Sequence, residues 1–555
     1  MTIELAGDSA EIRKARGAFF TPPEVTRFLC AWAITSPGDR VLEPSCGDGA
    51  FLAAAAERLR ELGGRAPLQA HELHEGSAAD ARALLASAGY PGRVVVGDFL
   101  ASPPGPSFDA VVGNPPYIRY QGFTGEARAT GLAAALAQGV RLSRLASSWA
   151  PFVVHAAGFL SAQGRLALVV PAELLAANYA AEVRDFLLQR FARVRVVLIE
   201  GQVFPGVQTE AMLLLAEGSG GTDRVEFASV AHAAGLDALL VNTGAFESVL
   251  EVRAGERWTT ALVSAEATHE LSRLAEAGWL SPLSHWGRIS LGAVTGNNRY
   301  FTLSPAQAAQ WGLTASELVP ISPAGSSHLR ALRLTRAGHA VLGQAGKRTL
   351  LFRPGDEPSA DARAYLVHGE ALGVTKAYKC RVRTAWWRTP LPAPPDVFFT
   401  YMNEATPQLA ANPSGLHYLN SVHGLYLTEG ASGLAELVSL AALNSATGLS
   451  AEVTGRAYGG GVLKMEPREA ARLLVPSIDK VRAHEQELSD LLPVARRLLR
   501  AGRLEAARDL VDDVLLTARA GLTPAGLASL REAQAALRQR RRQRAKSRTT
   551  RREAE

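Results

Sequence analysis

The sequence predicts an α/β fold with a mostly parallel sheet, followed by a second domain of mixed α+β structure. Between residues 40 and 217, short apolar runs alternate with longer stretches of helical spacing, as expected for strands joined by crossover helices. Only ten residues separate the last two apolar runs, too few for a helical crossover. After about residue 245 the alternation stops, and Gly, Pro and aromatic residues interrupt the pattern.

Seven strands are predicted in the first domain, and the last two should pair antiparallel because their connection is short. They are RVLE (40–43), LQAHEL (68–73), RVVVGD (93–98), AVVGN (110–114), RLALVV (165–170), RVVLIE (195–200) and AMLLLAE (211–217). We expect a first domain over residues 1–245, a second over 246–478, a helical segment over 479–536 and a flexible basic tail over 537–555.

Composition indicates a soluble globular protein, because 47% of the residues are hydrophobic and 20% are charged. The net charge of +6 comes from residues 538–555, which hold nine Lys or Arg and two acidic residues. The remaining chain is close to neutral. The basic end is interpreted either as an arm that binds nucleic acid through counterion release or as a solvated tail.

The three cysteines, Cys30, Cys46 and Cys380, are too few and too scattered for a disulfide framework or a zinc cluster. They predict a reducing compartment, and no metal is assigned. The N-terminal segment has acidic residues and no apolar stretch typical of a signal peptide, and no run is long enough to span a membrane. We therefore expect a cytoplasmic protein.

Polar or glycine residues follow three successive strands at their carboxyl ends, where open α/β sheets bind ligands. Gly47 and Gly49 allow close backbone approach before a helix starts, and Glu72 ends the next strand, where it can bind ribose hydroxyls. Asp98 can accept from an adenine amino group, with Phe99 beside the ring. Together they predict a nucleoside site.

The stretch VVGNPPYIRY (111–120) adds an unusual turn at the fourth strand end. Pro115 and Pro116 fix the backbone and remove two N–H donors, so nearby carbonyls stay free to accept from a ligand. Asn114 adds a side-chain acceptor, and Tyr117 adds a flat aromatic face. This combination favours a planar ligand with an exocyclic amino group, such as a nucleobase.

The motifs and their order resemble the γ class of amino-group DNA methyltransferases, the TaqI-like and Eco57I-like adenine-N6 enzymes. The matching segments are GAFFTPPEV (17–25), VLEPSCGDGAF (41–51), HEL (71–73), GDFL (97–100), GNPPY (113–117), VVPAELL (169–175) and EGQVFP (200–205). The resemblance covers residues 12–217 well, and beyond them only GAVTGNN (292–298) and YGGGVLKM (458–465) match. It implies a class I methyltransferase fold, a Rossmann-like seven-stranded sheet, with a C-terminal target-recognition domain.

The resemblance also implies S-adenosyl-L-methionine as the cofactor. It assigns Thr21 to the methionine end of the cofactor, Glu72 to the ribose, and Asp98 with Phe99 to the adenine. The other implied cofactor residues are Glu43, Pro44, Cys46, Gly47, Gly49 and Asn114. Cys46 and Asp48 depart from the family pattern within the loop, at positions that vary among its members.

The amino nitrogen of adenine is a poor nucleophile, because its lone pair is delocalised into the ring. If the Asn114 side-chain oxygen and the Pro115 carbonyl each accept one N–H, the nitrogen is drawn toward tetrahedral geometry and its lone pair localises. Pro116 stiffens the turn, and Tyr117 would stack on a base flipped out of the duplex. The family match places Phe204 against the same base. No covalent intermediate is required, which agrees with the absence of a catalytic Cys-Pro pairing.

Several alternatives stay open. Cytosine presents the same amino-carbonyl edge, although NPPY is commoner for adenine and SPPY for N4-cytosine among relatives. A protein-glutamine or RNA methyltransferase would resemble only the catalytic half, and a non-catalytic DNA-binding subunit would not need the intact motifs. Because the cofactor motifs begin near residue 17, we expect no fused nuclease. We expect a monomer that acts on double-stranded DNA, either as an orphan enzyme or as one member of a pair with a separate cognate restriction endonuclease.

Three segments of the second domain mix polar, aromatic and basic residues and are candidates for DNA contact: GNNRY (296–300), KCRVRTAWWR (379–388) and NSVHG (420–424). An ordinary loop or half-buried strand would explain each segment equally well. The residues singled out are Asn297, Asn298, Arg299, Arg381, Arg383, Trp386 and His423.

Overall fold

A computed structural model describes residues 21–105, 107–199, 211–241, 246, 248–458 and 461–552, with side chains up to residue 542. The chain divides into two compact units, and the division lies between Leu262 and Val263. The first unit therefore extends beyond the predicted limit of residue 245. Within the described part, no helix is both long and apolar enough to cross a membrane.

A nine-stranded sheet forms the centre of the first unit, in the order β3-β2-β1-β4-β5-β7-β6-β8-β9. Its strands are β1 (Val41–Glu43), β2 (Leu68–Glu72), β3 (Gly92–Val96), β4 (Phe108–Gly113), β5 (Leu160–Pro171), β6 (Arg193–Ile199), β7 (Ala211–Glu217), β8 (Arg224–Val230) and β9 (Ser248–Glu251). The first five are parallel. β7 lies antiparallel between β5 and β6, which is the strand order of the class I methyltransferases.

Helices cover both faces of this sheet. They span Pro23–Ala33, Ala50–Glu61, Glu75–Ser87, Gly125–Ala137, Trp149–Ala157, Glu173–Ala176, Ala181–Arg190 and Ala238–Val241. Successive residues of the central strands enter different hydrophobic clusters: Val111 packs on one face, while Ala110 and Val112 pack on the other. This burial on both faces explains why the strands read as continuous apolar runs.

The predicted fold class is confirmed, with all seven predicted strands present and the β6–β7 pair antiparallel. Two further strands, β8 and β9, were not predicted. β8 pairs parallel with β6, and β9 pairs antiparallel with β8, so the sheet extends past the sequence-predicted edge. These two strands were missed because the glycine-rich turn before β8 suggested that the sheet ended there.

In the residues that the structure describes, the second unit holds four small antiparallel sheets instead of one large one. The strands are β10 (Leu280–Pro282), β11 (Gly287–Leu291), β12 (Thr302–Leu303), β13 (Leu318–Pro320), β14 (Leu350–Phe352), β15 (Val397–Thr400), β16 (Met402–Asn403), β17 (Leu409–Ala411), β18 (Val422–Leu427), β19 (Arg456–Tyr458), β20 (Val462–Lys464) and β21 (Leu474–Pro476). The largest sheet has the order β11-β18-β15-β17. This matches the mixed α+β structure expected for the C-terminal part.

Helices of the second unit concentrate toward the C-terminus. They span Ala265–Glu276, Asn298–Phe301, Pro305–Gln310, Arg336–Gln344, Ala360–Ala371, Tyr378–Arg381, Ala435–Ala441, Ser445–Thr454, Pro467–Arg472, Ile478–Ala483, Glu485–Arg500, Leu504–Val511 and Pro524–Arg552, with a π-helix at Asp512–Arg519. Leu437, Leu488 and Val511 pack with strand residues in one core, so the helical segment belongs to the second unit.

The structure differs from the prediction of a flexible tail that begins at residue 537. Residues 537–552 continue the helix Pro524–Arg552, and Arg541 is buried. An Arg541 Nη2 atom lies 2.7 Å from Oε1 of Glu452, and both side chains are at most 3% exposed. A buried guanidinium needs such a partner, so the start of the basic segment is part of the fold.

Candidate active site

The parallel strands β3, β2, β1 and β4 are neighbours, so their carboxyl ends and the loops that follow meet along one edge of the sheet. β1 ends at Glu43, β2 at Glu72 and β4 at Gly113. This edge holds most of the residues that the sequence assigned to cofactor and target. Their positions thus follow from the order of the strands.

The glycine loop after β1 is shaped by two residues in the left-handed region. Gly47 has φ +51° and Gly49 has φ +87°, conformations that residues with a Cβ rarely adopt. Gly49 directly precedes the helix Ala50–Glu61, whose first N–H groups face the loop. The loop is joined to β2 because the Cys46 N–H donates to the His71 carbonyl at 2.9 Å.

Glu72 is buried and holds the loop through its carboxylate. Its Oε2 accepts from the Gly47 N–H at 2.9 Å, and its Oε1 accepts from the His74 N–H at 3.0 Å. Each carboxylate oxygen has a further lone pair available to a ligand. Glu72 is thereby oriented by the backbone before any ligand arrives.

Glu43 is the last residue of β1 and is 2% exposed. Burial, together with the nearby carboxylates of Asp48 and Glu72, raises the pKa of Glu43 well above its usual value. Its Oε2 has no hydrogen-bond partner among the described residues. Burial also raises the pKa of the Cys46 thiol, with the Glu43 charge acting in the same direction. Cys46 is therefore not a reactive thiolate.

Asp98 follows β3 and is half-buried, with its Oδ1 accepting from the Leu100 N–H at 3.0 Å. Phe99 is only 2% exposed, and its ring packs against His71, Phe152 and His155. The structure thus places Asp98 at the edge and the Phe99 ring in the core below it.

The Asn-Pro-Pro-Tyr turn follows β4, and two hydroxyls hold its first residue. The Asn114 Nδ2 donates to Thr21 Oγ1 at 3.1 Å, and the Ser45 hydroxyl donates to the Asn114 carbonyl at 3.3 Å. Because Nδ2 is engaged, the other amide atom, Oδ1, is left as an acceptor. Asn114 Oδ1 is buried and has no partner among the described residues. Buried polar atoms are normally satisfied, so this one is available to a ligand.

The rest of the turn is fixed through Ser148, which the sequence analysis missed. The Ser148 hydroxyl donates to the Pro116 carbonyl and accepts from the Ile118 N–H at 2.8 Å. Tyr117 lies between these two residues with its ring half-buried, and burial raises the pKa of its hydroxyl well above the usual value. The only local signal for Ser148 was a polar residue before a helix start, which does not indicate its partner.

Hydrogen bonds join the predicted cofactor residues to the predicted catalytic turn. In the glycine loop, Gly47 donates a hydrogen bond to Glu72, and Ser45 donates one to Asn114. Asn114 in turn donates a hydrogen bond to Thr21. Pro44 and Pro115 are buried in this region. Phe204 lies outside the described residues, as does the whole EGQVFP segment.

Among the candidates for DNA contact, Arg299 and Arg381 are exposed. The structure corrects the assignment of His423, which is fully buried in β18, bonds the Met465 carbonyl at 2.7 Å and stacks on Phe399. Burial lowers the pKa of this histidine. His423 is therefore a core residue.

Four other candidates are engaged within the second unit. Asn297 caps the helix Asn298–Phe301 by accepting from the Tyr300 N–H, and Asn298 accepts from the Thr295 hydroxyl. Arg383 donates to the Val294 carbonyl at 2.6 Å, and Trp386 packs against aromatic rings. These contacts explain why the segments are rich in polar and aromatic residues without invoking DNA.

Two family models match the chain. One, described as N-6 DNA Methylase, matches residues 5–230, and the other, described as the C-terminal domain of the type II methyltransferase M.Eco57I, matches residues 255–516. The first covers the nine-stranded sheet as far as β8, and the second covers most of the second unit.

Three relatives are similar to the chain. Type II methyltransferase M.XamI of Xanthomonas campestris pv. amaranthicola is 28% identical over 483 residues, which are 84% of this chain and 86% of the relative. M.AccI of Acinetobacter calcoaceticus is 21% identical, covering 83% and 85%. M.TthHB8I of Thermus thermophilus is 33% identical over 208 residues, 36% of this chain and 45% of the relative. The first two relatives align with both units.

Proposed function

We propose that this chain is an amino-group DNA methyltransferase of the γ class and that it methylates N6 of an adenine flipped out of double-stranded DNA. S-adenosyl-L-methionine is the cofactor of this family and supplies an electrophilic methyl group when bound. The proposal rests on one observation above all: the buried Asn114 Oδ1 has no partner among the described residues and lies in a turn beside the cofactor loop.

The carboxyl edge of the sheet fits this cofactor. The Glu72 carboxylate, held by two backbone N–H groups, has lone pairs left for the ribose hydroxyls. Asp98 is half-buried and suits the adenine amino group, and Gly47 and Gly49 let the backbone approach closely. Thr21 would bind at the methionine end, and Glu43 belongs to the segment around the glycine loop.

The target amino group is activated by hydrogen bonding alone. Asn114 Oδ1 and the Pro115 carbonyl each accept one N–H of the base, which localises the nitrogen lone pair toward the methyl group. Thr21 fixes the amide of Asn114 in the orientation that presents Oδ1. Tyr117 stacks on the extruded ring, and Phe204 contacts it from another side.

The second unit carries target recognition, consistent with its match to the M.Eco57I C-terminal domain. Arg299 and Arg381 are exposed and are the candidates there for phosphate contacts. The protein acts as a monomer, in the cytoplasm and on the nucleoid, with its cleavage partner a separate restriction endonuclease. The three relatives described above are themselves named type II methyltransferases.

The test is methyl transfer from labelled S-adenosyl-L-methionine to unmethylated genomic DNA by the purified protein, followed by mass spectrometry of the nucleosides. We expect N6-methyladenine. Finding N4-methylcytosine instead would contradict the choice of adenine and identify cytosine as the target base. Label on RNA or protein alone, or no label with intact cofactor binding, would overturn the proposal. A parallel incubation of unmethylated DNA with the protein and magnesium should show no cleavage.

A further inference from the structure

Ser148 connects the catalytic turn to the first residues of the helix Trp149–Ala157. It is 2% exposed and makes three hydrogen bonds with the turn. Its hydroxyl donates to the Pro116 carbonyl and accepts from the Ile118 N–H at 2.8 Å, and its own N–H donates to the Ile118 carbonyl at 3.0 Å. A single side chain and its backbone thus bind the turn on both sides of Tyr117.

These bonds decide which acceptors of the turn remain open. The Pro116 carbonyl is occupied by Ser148, and the Asn114 carbonyl is occupied by Ser45. Among the described residues none donates to the Pro115 carbonyl or to Asn114 Oδ1. The two acceptors left open are the pair that one amino group with two N–H bonds requires.

We infer that Ser148 is a positioning residue for methyl transfer. By occupying the Pro116 carbonyl and the Ile118 N–H, it aligns the Pro115 carbonyl with Asn114 Oδ1 and fixes the plane of the Tyr117 ring. The inference rests on the proposed function, because the amino group is the ligand that this alignment serves. Ser148 acts through the turn and does not touch the base or the cofactor.

The neighbouring Ser147 provides a matched comparison. It has the same side chain, is 6% exposed, and precedes the same helix. Its hydroxyl accepts from the Tyr179 hydroxyl at 3.2 Å, and Tyr179 in turn accepts from Trp149 Nε1 at 3.0 Å. Ser147 therefore supports the helix, whereas the Ser148 hydroxyl contacts the turn. Replacing either serine removes a buried hydroxyl of the same kind.

The experiment compares Ser148→Ala with Ser147→Ala in the full-length protein, on a duplex that the wild type methylates. For Ser148→Ala we expect kcat to fall about 10-fold to 100-fold, since small misplacements of reacting groups cost up to about 100-fold. The KM for DNA and the cofactor Kd should stay within about threefold. Ser147→Ala should keep kcat within about threefold, and Ser148→Thr, which keeps the hydroxyl, should recover most of the loss.

With 2-aminopurine at the target position, Ser148→Ala should still extrude the base, while its transfer to the duplex that carries adenine is slow. Thermal unfolding measured for each variant separates this effect from lost stability. If Ser148→Ala does not fold, Ser148→Cys tests the same point, because a thiol is a weak donor and acceptor. It should lower kcat at least about fivefold.

Equal kcat losses in Ser148→Ala and Ser147→Ala, or a Ser148→Ala loss confined to KM, would overturn the positioning role. The wild-type protein is tested first, before the variants, and one outcome is that it methylates no adenine amino group. That result contradicts the proposed function and, with it, the basis of this inference.

Discussion

The Gly47 N–H donates to Oε2 of Glu72 across 2.9 Å, so the glycine loop and the end of β2 hold each other in position. Gly47 has a φ of +51°, a left-handed conformation that residues with a Cβ rarely adopt. The second oxygen of Glu72 is held by the His74 N–H. A binding site ordered in advance loses less entropy when its ligand binds.

This relationship predicts that Glu72→Ala weakens cofactor binding by about 10-fold to 100-fold, the value of one or two hydrogen bonds to a charged group. Isothermal titration calorimetry with S-adenosyl-L-methionine measures the Kd directly. Glu75→Ala is the matched control, because Glu75 is exposed three residues further on and pairs only with Arg82 in the described structure. It should change the Kd by less than about twofold. Equal effects of the two substitutions would remove Glu72 from the cofactor site.

The ring of Tyr117 should matter more than its hydroxyl. Tyr117→Ala should lower turnover on duplex DNA about 10-fold to 100-fold, because stacking on a base contributes about 1–3 kcal/mol. Tyr117→Phe keeps the aromatic face and should therefore retain most of the turnover, since stacking involves the ring. Phe204→Ala should behave like Tyr117→Ala, with a smaller penalty for both when the target base is mismatched. Fluorescence of 2-aminopurine at the target reports extrusion and stacking. If Phe204→Ala leaves turnover and fluorescence unchanged, Phe204 does not contact the base.

Glu43 should make stability depend on pH. Its pKa in the folded state is raised, so the folded protein binds this proton more tightly than the unfolded chain. The contribution of Glu43 to stability is therefore full below its ordinary pKa of 4.5 and is lost as pH rises toward the folded value. Glu43→Gln stays neutral, so its melting temperature should exceed that of wild type increasingly from pH 5 to pH 8, by at least ~2 °C.

Differential scanning calorimetry across that pH range checks the prediction. Glu57→Gln is the control, because Glu57 is exposed on the adjacent helix Ala50–Glu61 and should show no such trend. A constant difference between Glu43→Gln and wild type at every pH would show that Glu43 does not titrate abnormally.

The C-terminal helix should separate into a structural part and a part that interacts with DNA. Arg541→Ala leaves Glu452 buried without its partner and should cost about 3–5 kcal/mol of unfolding free energy. Arg542→Ala should cost far less, because the Arg542 side chain is half exposed.

Removing residues 543–555, which hold five Lys or Arg, should preserve the melting temperature and flatten the salt dependence of DNA binding. An unchanged salt slope after that truncation would leave the segment without a role in binding DNA.

Most of the first unit could be predicted from sequence because strands buried on both faces produce apolar runs that are visible in the chain itself. The fold class was confirmed, and the matches to the N-6 DNA Methylase and M.Eco57I C-terminal models agree with the resemblance that the motifs indicate. β8 and β9 were missed because RVEFASV has a single buried face and follows a glycine-rich turn, which suggested the end of the domain. The position of β8 in the sheet is set by its pairing with β6 and β9, not by its own pattern.

The candidate site was predicted where a residue type has a fixed chemical role, as for Asn114, Glu72 and Gly47. It was missed where a common residue acts through a distant partner, as Ser148 does with Pro116 across 32 positions of the chain. The opposite mistake was made for His423, which was assigned to a DNA surface, and for Arg541, which was assigned to a flexible arm. Both side chains are buried, His423 with the Met465 carbonyl as its partner and Arg541 with Glu452. Whether a polar side chain is buried depends on partners that are distant along the chain, and the local sequence pattern does not identify them.

Methyl transfer by Asn114→Ala, measured in a single turnover beside its cofactor Kd, tests the central claim that Asn114 Oδ1 accepts from the target amino group. We expect transfer to be lost, while the cofactor Kd stays within a few-fold because Glu72 and Asp98 are intact. Asn114→Asp, which keeps an acceptor at the same place, should retain part of the activity. Equal loss of transfer and cofactor binding in Asn114→Ala, or transfer near the wild-type rate, would contradict the claim.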